Sequence, residues 1–418
     1  MGQPIEPRRR LLSAVAVALS LTVIFVVVLS VPLGVATDLG LSSAQLTAWI
    51  VALYGSSAVV SLALVWRYRQ PLLMTGNMFV LIFVASLGGR LSWAELIGAS
   101  ITAGAIVLVL GLLGLTDRLA RWLPAPVVYG VLAGAVLPFF VGLFDALGDE
   151  RLIVGATLAA FLLGRRFLEP RIPAVLPALI AGLAVAALTG GLGTPPAGLS
   201  LPVPSITAPQ FSLGALVTAT PVMVALITLQ ANAPSVVFLR AQSYHPPERT
   251  LTVISGTGTL LASFFGPVGV SLSLPATALS AGPDAGPHAT RHHAVVITSC
   301  LALVLALLAG YAADLETIIA RALLVAVIGL AVVGVFTTAL RQVVAGPLLL
   351  GPIIAFGVTV SDLTLFGLGP VFWALALGLG VSRLVERDAW AALEGAPDNP
   401  QSGPPDASAR DSGATPSG

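Results

Sequence analysis

Long apolar runs separated by short polar breaks recur along the chain up to about residue 388. A helix needs about 20 consecutive apolar residues to cross the hydrocarbon core of a bilayer. The runs predict an all-α polytopic membrane protein of about fourteen segments, of which the third, sixth and tenth are short for a full crossing. The approximate spans are 11–31, 45–65, 71–88, 93–115, 124–145, 151–165, 172–192, 212–238, 250–265, 268–284, 293–312, 316–340, 347–361 and 368–385.

Three stretches lie outside these runs. Residues 1–10 form a basic N-terminal tail, and the apolar run after Arg8-Arg9-Arg10 is longer than the core of a signal peptide, so we expect a retained first helix. Residues 193–210 are uncharged, rich in proline and near the midpoint, which indicates a linker. Residues 389–418 are rich in Pro, Gly, Ser and Asp, which is typical of a disordered tail.

The composition indicates that lipid is the main solvent of this chain. Hydrophobic residues make up 56% of it and charged residues 9%, whereas a soluble domain carries about 25% charged residues. The net charge of +1 excludes a basic face for nucleic acid. One cysteine, Cys300, and four histidines in short polar connections predict neither a metal site nor a cofactor. We expect no enzyme, because the sequence has no nucleophile–base pair and no phosphate loop.

The arginines predict the orientation in the membrane. If the N-terminus is cytoplasmic, the outer loops hold only Arg90 and Arg151 and carry acidic residues instead. This asymmetry satisfies the positive-inside rule and places both termini in the cytoplasm, with the bacterial inner membrane as the location. The arginines assigned to the cytoplasmic loops are Arg67, Arg69, Arg118, Arg121, Arg165, Arg166, Arg171, Arg240, Arg249, Arg291, Arg341, Arg383 and Arg387.

The linker divides the membrane part into residues 11–192 and 211–388, with seven predicted segments in each. Because seven is odd, the second half enters the membrane from the opposite side, and an in-plane pseudo-two-fold axis relates the halves. Segments three and ten are then equivalent. Thr75 and Pro275 lie at matching distances from the starts of their halves.

Segments three and ten share a pattern that predicts broken helices. In each, an extended stretch led by Pro71 or Pro267 precedes small and hydroxyl residues and then a short helix. Non-helical backbone at membrane depth survives only where it lines a cavity or is buried in protein. Paired interruptions of this kind are the best sequence pointer to a transporter's binding site. Two helix N-termini facing each other suit a small anion such as a carboxylate.

Segment eight adds a polar cluster around Pro234. The amides of Gln230 and Asn232 either bond the backbone that the proline frees or face the cavity and contact substrate, and the sequence leaves both open. Each hydroxyl at the broken segments, taken singly, can likewise bond its own helix. The predicted substrate-binding residues are Thr75, Gly76, Asn77, Gln230, Asn232, Ser271, Ser273 and Thr277.

The sequence predicts no titratable group at mid-membrane around this site. Asp284 ends segment ten, close to His288, His292 and His293, and is the candidate for proton coupling; the alternative is a solvated loop. A weak-acid substrate that carries the proton itself is a further alternative.

With these residues in place, the chain resembles the benzoate/proton symporter family, BenE, over nearly its whole length except the tails. The order and spacing of four blocks carry the resemblance. The blocks are Thr207-Ala208-Pro209-Gln210-Phe211-Ser212-Leu213, Gln230 to Pro234, Leu239-Arg240-Ala241-Gln242-Ser243-Tyr244 followed by Pro246-Pro247, and Gly282-Pro283-Asp284-Ala285 followed by Pro287 and Arg291. The chain departs from the family pattern in segments three and ten, at Thr75-Gly76-Asn77 and Gly266-Pro267-Val268-Gly269.

The resemblance implies a fold like that of the uracil-type transporters. A core domain of segments 1–4 and 8–11 would carry the substrate, and a gate domain of segments 5–7 and 12–14 would stay more fixed. It also implies proton-coupled uptake of benzoate or a similar small aromatic or organic carboxylate, with a homodimer as one open arrangement. The departures leave two alternatives: a nucleobase or inorganic anion on the same fold, or a channel-like membrane protein.

Overall fold

The structure, a computed structural model, describes residues 7–116, 122–168, 174–190, 192, 205–311, 321–361, 363–366 and 368–395. The predicted tails before residue 7 and after residue 395, and residues 193–204 of the predicted linker, lie outside the described residues. The described helices are α1 (Pro7–Val28), α2 (Ser30–Leu39), α3 (Ser43–Val51), α4 (Ser57–Tyr68), α5 (Met78–Ser86), α6 (Trp93–Leu113), α7 (Ala125–Asp149), α8 (Arg151–Phe167), α9 (Val175–Leu188), α10 (Leu213–Thr218), α11 (Thr220–Ala225), α12 (Ala233–Ala241), α13 (Glu248–Ala262), α14 (Leu274–Ala281), α15 (His292–Leu307), α16 (Arg321–Ala345), α17 (Leu350–Val360), α18 (Pro370–Val385) and α19 (Arg387–Gly395).

Two stretches of π-helix and two short strands complete the membrane part of the described chain. The π-helix Ala52–Ser56 joins α3 to α4, and the π-helix Leu226–Asn232 joins α11 to α12. The strands are β1 (Met74–Gly76) and β2 (Val270–Leu272). Single 3₁₀ turns at Ser263–Phe265, Pro283–Ala285 and His288–Thr290 lie on either side of α14.

Among the described residues, seven helices or continuous helical runs are long and apolar enough to cross a membrane. Three further apolar helices, α9, α17 and α18, are shorter. The prediction of a polytopic helical membrane protein is therefore confirmed. The seven spans are Leu11–Ala36, Ser43–Tyr68, Trp93–Leu113, Ala125–Asp149, Leu213–Ala241, His288–Leu307 and Ala322–Ala345.

The helices pack in two groups, and the contacts in each group repeat between the two halves of the chain. In the first group, α1 and α4 pack on α15, while α10, α11 and α13 pack on α6. In the second group, α7 packs along α16, and the pair α8–α9 has its counterpart in the pair α17–α18. The contacts α7–α17 and α16–α8 are equivalent in the same way. Such pairing is the pattern that an inverted repeat produces.

Glycines let α6 and α13 approach until their backbones touch. A Cβ on Gly256 would lie 2.2 Å from the backbone N of Leu108, and a Cβ on Gly104 would lie 2.5 Å from the backbone N of Leu260. Small residues at helix crossings are the usual means by which helices associate in lipid. The lipid is as apolar as the side chains, so burying apolar side chains between helices gives little free energy. This crossing holds segments four and nine together behind the broken segments.

Segments three and ten are broken as the sequence predicts, but their extended parts are not free loops. They pair as a two-stranded antiparallel sheet with the register Met74↔Leu272, Thr75↔Ser271 and Gly76↔Val270. The backbone N–H of Asn77 extends the pairing by donating to the Gly269 carbonyl at 2.6 Å. The expectation of an all-α protein is corrected at this point, because extended backbone inside hydrocarbon has to find hydrogen-bond partners.

Side chains satisfy the N–H groups that point away from the strand pairing. On the β2 side, Val268 N donates to Ser100 Oγ at 3.2 Å, Val270 N to Thr259 Oγ1 at 2.9 Å and Leu272 N to Asn232 Oδ1 at 2.9 Å. On the β1 side, Met74 N donates to Ser61 Oγ at 2.8 Å. The acceptors come from four different segments, so the strand pair is fixed to the helices around it.

The end of the described chain differs from the predicted tail. Residues 387–395, most of which the sequence assigns to a disordered tail, form helix α19. The Trp390 side chain is buried, and the Arg383 guanidinium lies 4.9 Å from its ring centroid. The packing of this tryptophan explains the local order.

The Glu386 carboxylate, between α18 and α19, caps the N-terminus of α17. It accepts hydrogen bonds from the backbone N–H groups of Leu349, Leu350 and Gly351 and from the Ser382 hydroxyl. Burial raises the pKa of the Glu386 carboxyl, but these four hydrogen bonds outweigh burial and hold the pKa below its usual value. A carboxylate at a helix N-terminus also interacts favourably with the helix dipole.

The α6–α13 crossing predicts the effect of adding one methyl group. We expect Gly256→Ala to destabilise the protein by about 1–3 kcal/mol, because backbone atoms cannot yield to the new Cβ. The matched control is Gly357→Ala in α17, where a Cβ meets nothing within 4 Å, so a stabilisation of about 0.5–1 kcal/mol is expected. Thermal unfolding of the purified variants measures both changes. Equal melting temperatures for the two variants would contradict the close crossing.

The Glu386 cap predicts a stability difference that depends on pH. The pKa of the folded state lies below the unfolded value, so the stabilisation is complete above the unfolded pKa and is lost as the pH falls through the folded pKa. We expect Glu386→Gln to lower the melting temperature at neutral pH by about 1–3 °C. The gap between variant and parent should narrow in acid. A gap that stays constant from neutral to acidic pH would show that the carboxylate charge does not matter.

Candidate functional site

A cavity of about 310 Å³ lies where the broken segments meet the second helix group. Its walls come from α1, from the π-helix Ala52–Ser56 and α4, from both broken segments, from the π-helix Leu226–Asn232, and from α15 and α16. The volume falls at the lower end of the range of small-molecule sites. Its aromatic and aliphatic lining side chains include Leu21, Phe25, Leu53, Tyr54, Met74 and Phe79. The described lining is made of neutral side chains.

The two half-helices present different N-termini to this cavity. Asn77 is the N-cap of α5, and its Oδ1 accepts from the Val80 N–H at 3.1 Å. Ser273 is the N-cap of α14 but makes no capping bond, and Pro275 follows in the first turn. The first N–H groups of α14 have no partner within the helix. Of the two half-helices, α14 is the one whose N-terminus has no side-chain cap, next to Ser273.

The Asn77 amide is fully engaged in holding the two broken segments together. Its Nδ2 donates to the Leu226 carbonyl at 3.1 Å and to Ser271 Oγ at 3.0 Å, while its Oδ1 caps α5. Ser271 in turn donates to the Leu272 carbonyl at 2.9 Å. Asn77 borders the cavity, but both its N–H donors and one of the two acceptor positions of its Oδ1 are used by the protein. Its role in this structure is to position the two half-helices.

The cluster in segment eight divides into one bonded and one unbonded amide. Asn232 donates to Ser255 Oγ at 2.9 Å and accepts from Leu272 N, so it braces β2. Gln230 lines the cavity and is 8% exposed, and its buried Oε1 has no hydrogen-bond partner in the described part of the chain. A π-helical turn, a feature often found at functional sites, presents the two amides differently.

The other predicted site residues divide into those that line the cavity and those that do not. Thr75, Gly76 and Ser273 line the cavity. Gly76 contributes only backbone atoms to the wall. Its lack of a side chain lets Leu53 pack directly against it, because a Cβ there would lie 2.1 Å from the Leu53 side chain. Thr277 is fully buried with an unpaired Oγ1, and the structure does not bring it, Asn232 or Ser271 to the cavity wall.

Sequence reasoning missed Ser299 in α15. Its hydroxyl is fully buried, has no hydrogen-bond partner within the described residues, and lies in the cavity wall. One serine in a long apolar helix gives no local signal. The inverted repeat that the sequence predicts offers one, because it would make α15 the mate of α6, whose Ser100 bonds the backbone of segment ten at Val268.

Asp284 does not join this site. It is exposed in the 3₁₀ turn Pro283–Ala285, at the far end of α14 from the cavity. The surrounding loops are held by Arg291, which donates to the carbonyls of Gly286 and Ala281 and to Gln242. Tyr244 stacks on His288 at 4.1 Å between ring centroids. Two of the sequence blocks that suggested a family thus contact each other and support the end of α14.

The contrast between Gln230 and Asn232 predicts opposite effects of the same change. Gln230→Leu should leave the melting temperature unchanged or raise it, because it removes a buried polar group that has no partner. Asn232→Leu should lower stability by about 1–3 kcal/mol, because Leu272 N loses its acceptor. Thermal unfolding of the two variants in one detergent checks this prediction. The reverse order of melting temperatures would mean that the two amides exchange roles.

A family model described as "Benzoate membrane transport protein" (BenE) matches residues 9–384. The chain is 28% identical over 341 residues to the "Benzoate membrane transport protein" of Acinetobacter baylyi, with 81% of this chain and 86% of that protein covered. It is 30% identical over 346 residues to the "Inner membrane protein YdcO" of Escherichia coli, with 81% of this chain and 87% of that protein covered.

Two solved structures share the fold. The transmembrane domain of a cyanobacterium bicarbonate transporter, BicA, has a TM-score of 0.54 and 17% identity, covering 90% of this chain and 97% of that chain. The murine anion transporter Slc26a9 in its inward-facing state has a TM-score of 0.57 and 13% identity, covering 93% of this chain and 69% of that chain. Together with the family match across nearly its whole length, these likenesses show that the chain is a membrane transporter of the BenE family.

Proposed function

We propose that this protein is a secondary active transporter that takes up benzoate, or a similar small aromatic carboxylate, together with a proton. The observation that carries the proposal is the cavity itself. An apolar body fits against Phe25, Tyr54 and Phe79, and the carboxyl group fits at the open N-terminus of α14 beside Ser273. A helix N-terminus favours an anionic or strongly accepting group.

The proposal includes fourteen membrane segments in two inverted sets of seven, with both termini in the cytoplasm and the inner membrane as the location. The paired helix contacts support the inversion. The printed name of the Escherichia coli relative describes an inner membrane protein. Asp284, which is exposed and away from the cavity, has no part in the proposed coupling. The proposed partners are the carboxylate, a proton, the lipid bilayer and a second copy of the chain in a homodimer.

Alternating access is proposed to occur between the two helix groups. Segments 1–4 and 8–11 form the core, which supplies nearly all of the cavity wall, and segments 5–7 and 12–14 form the gate. The gate contributes Ala331, Gly334, Val335 and Thr338, all from α16. Small side chains on this face let the core carry the substrate past α16 with little steric resistance.

Transport of an inorganic anion is the second candidate, because the solved neighbours are described as bicarbonate and anion transporters. The lining argues for an organic ligand instead. A small hydrated anion leaves the surfaces of Phe25, Phe79 and Leu53 uncovered, whereas an aromatic ring covers them. A nucleobase carries donors and acceptors around its whole edge, and the aromatic and aliphatic side chains that make up most of the lining would leave several of them without partners.

Uptake into proteoliposomes tests the proposal. With an inward proton gradient we expect saturable accumulation of labelled benzoate, and Gly334→Leu should abolish it because the new side chain projects into open space at the cavity wall. Gly380→Leu in α18 is the matched control, since a Cβ there also meets nothing within 4 Å but lies away from the cavity. Failure to accumulate any member of a panel of aromatic acids would reject the substrate class. Uptake that does not saturate would indicate a channel.

A further inference from the structure

The polar groups that line the cavity differ in which hydrogen-bond partners they lack. Gln230 lines the cavity, more than nine-tenths buried, and its Oε1 is an acceptor with no donor among the described residues. A buried amide oxygen left unpaired costs about 1–3 kcal/mol. A carboxylate has no proton to offer and cannot satisfy this oxygen. An undissociated carboxylic acid can, because it has one O–H donor and one carbonyl acceptor.

The electrostatics of the cavity favour the same form of the ligand. A full negative charge in an apolar enclosure carries a large desolvation cost unless a positive group compensates it. The described lining is neutral, and a helix N-terminus offers at most about half an elementary charge. Asn77 already caps one of the two half-helices, so only α14 presents an N-terminus without a side-chain cap to a ligand.

We propose that the substrate is bound and carried as the undissociated acid, so that the coupled proton travels on the ligand. After rotation of the Gln230 amide toward the cavity, the acid O–H donates to Oε1, and the acid carbonyl accepts from Gln230 Nε2, from the Ser273 hydroxyl or from the N–H groups of Leu274 and Ala276 at the start of α14. The inference rests on the proposed function and deepens it. The carboxylate takes up one proton from water on the outside, and the acid releases it inside.

Because binding is linked to protonation of the ligand, the proposal predicts how affinity changes with pH. If only the acid binds, affinity is constant below the pKa of the free ligand. Above that pKa it falls about tenfold per pH unit, because the undissociated fraction falls by that factor. Binding above the pKa takes up about one proton per ligand. The pH at which affinity begins to fall must follow the ligand's own pKa, whereas a titrating protein group would set the same pH for every ligand.

Calorimetry on the purified full chain in nanodiscs tests this with four probes: benzoate, a nitrobenzoate of lower pKa, benzamide and benzenesulfonate. We expect the two acids to show the tenfold slope, with the nitrobenzoate profile displaced by the difference between the two pKa values. Benzamide, neutral with an NH₂ donor group and a carbonyl acceptor, should bind equally at every pH. Benzenesulfonate, a permanent anion, should not bind. Titration in two buffers of different ionisation enthalpy counts the protons taken up.

The outcomes separate this inference from the proposed function. Benzoate affinity that is independent of pH, or benzenesulfonate binding as tightly as benzoate, overturns the acid-bound form and leaves carboxylate transport standing. A common pH midpoint for both acids assigns the proton to the protein and also overturns it. No binding of any aromatic acid at any pH removes both proposals. Gln230→Leu should weaken benzoate and benzamide alike, by about 10- to 100-fold, whereas an unchanged benzamide affinity would exclude Gln230 as the partner.

Discussion

Every backbone N–H and C=O inside the hydrocarbon region must find a partner within the protein, and the architecture around the cavity depends on this constraint. Breaking segments three and ten in mid-membrane exposes extended backbone on both. The two stretches satisfy each other by pairing as β1 and β2. The N–H groups left over are taken by Ser61, Ser100, Thr259 and Asn232, from four surrounding segments. The hydrogen bonds that satisfy the extended backbone therefore also attach the strand pair beside the cavity to the surrounding helices.

This constraint divides the polar side chains near the cavity into two kinds. Asn77, Asn232 and Ser271 are bonded to backbone or to each other and hold the broken segments in register. Gln230 and Ser299 have no partner and lie in the cavity wall. Because an unpaired buried polar group is costly, one that also lies in the cavity wall marks where a ligand belongs more clearly than residue type does; Thr277, unpaired but away from the wall, does not mark it.

The sequence predicted the broken segments, and it did so for a physical reason: prolines, glycines and hydroxyl residues are poor helix formers, so their recurrence at matching places is visible without a structure. The sequence does not distinguish the roles of individual side chains. Gln230 and Asn232 are two residues apart and chemically alike. Any helical turn points them in different directions, but only the packing of the neighbouring elements decides which amide braces β2 and which is left free. Ser299 was missed because its significance comes from packing across the chain. The strand pairing was also missed, since register depends on contacts between residues nearly 200 positions apart.

The arrangement of hydrogen bonds also bears on how the protein moves. The interhelical side-chain bonds that fix the strand pair all lie within the core, and the crossing of α6 and α13 brings backbone against backbone. The face of α16 toward the cavity carries Ala331, Gly334, Val335 and Thr338, and the Thr338 hydroxyl bonds its own helix at Gly334. Directional hydrogen bonds inside the first helix group, and an apolar face of α16 toward the cavity, support the proposed displacement of the core as a unit. A neutral ligand suits such a movement, because its passage past α16 leaves no uncompensated charge in an apolar interface.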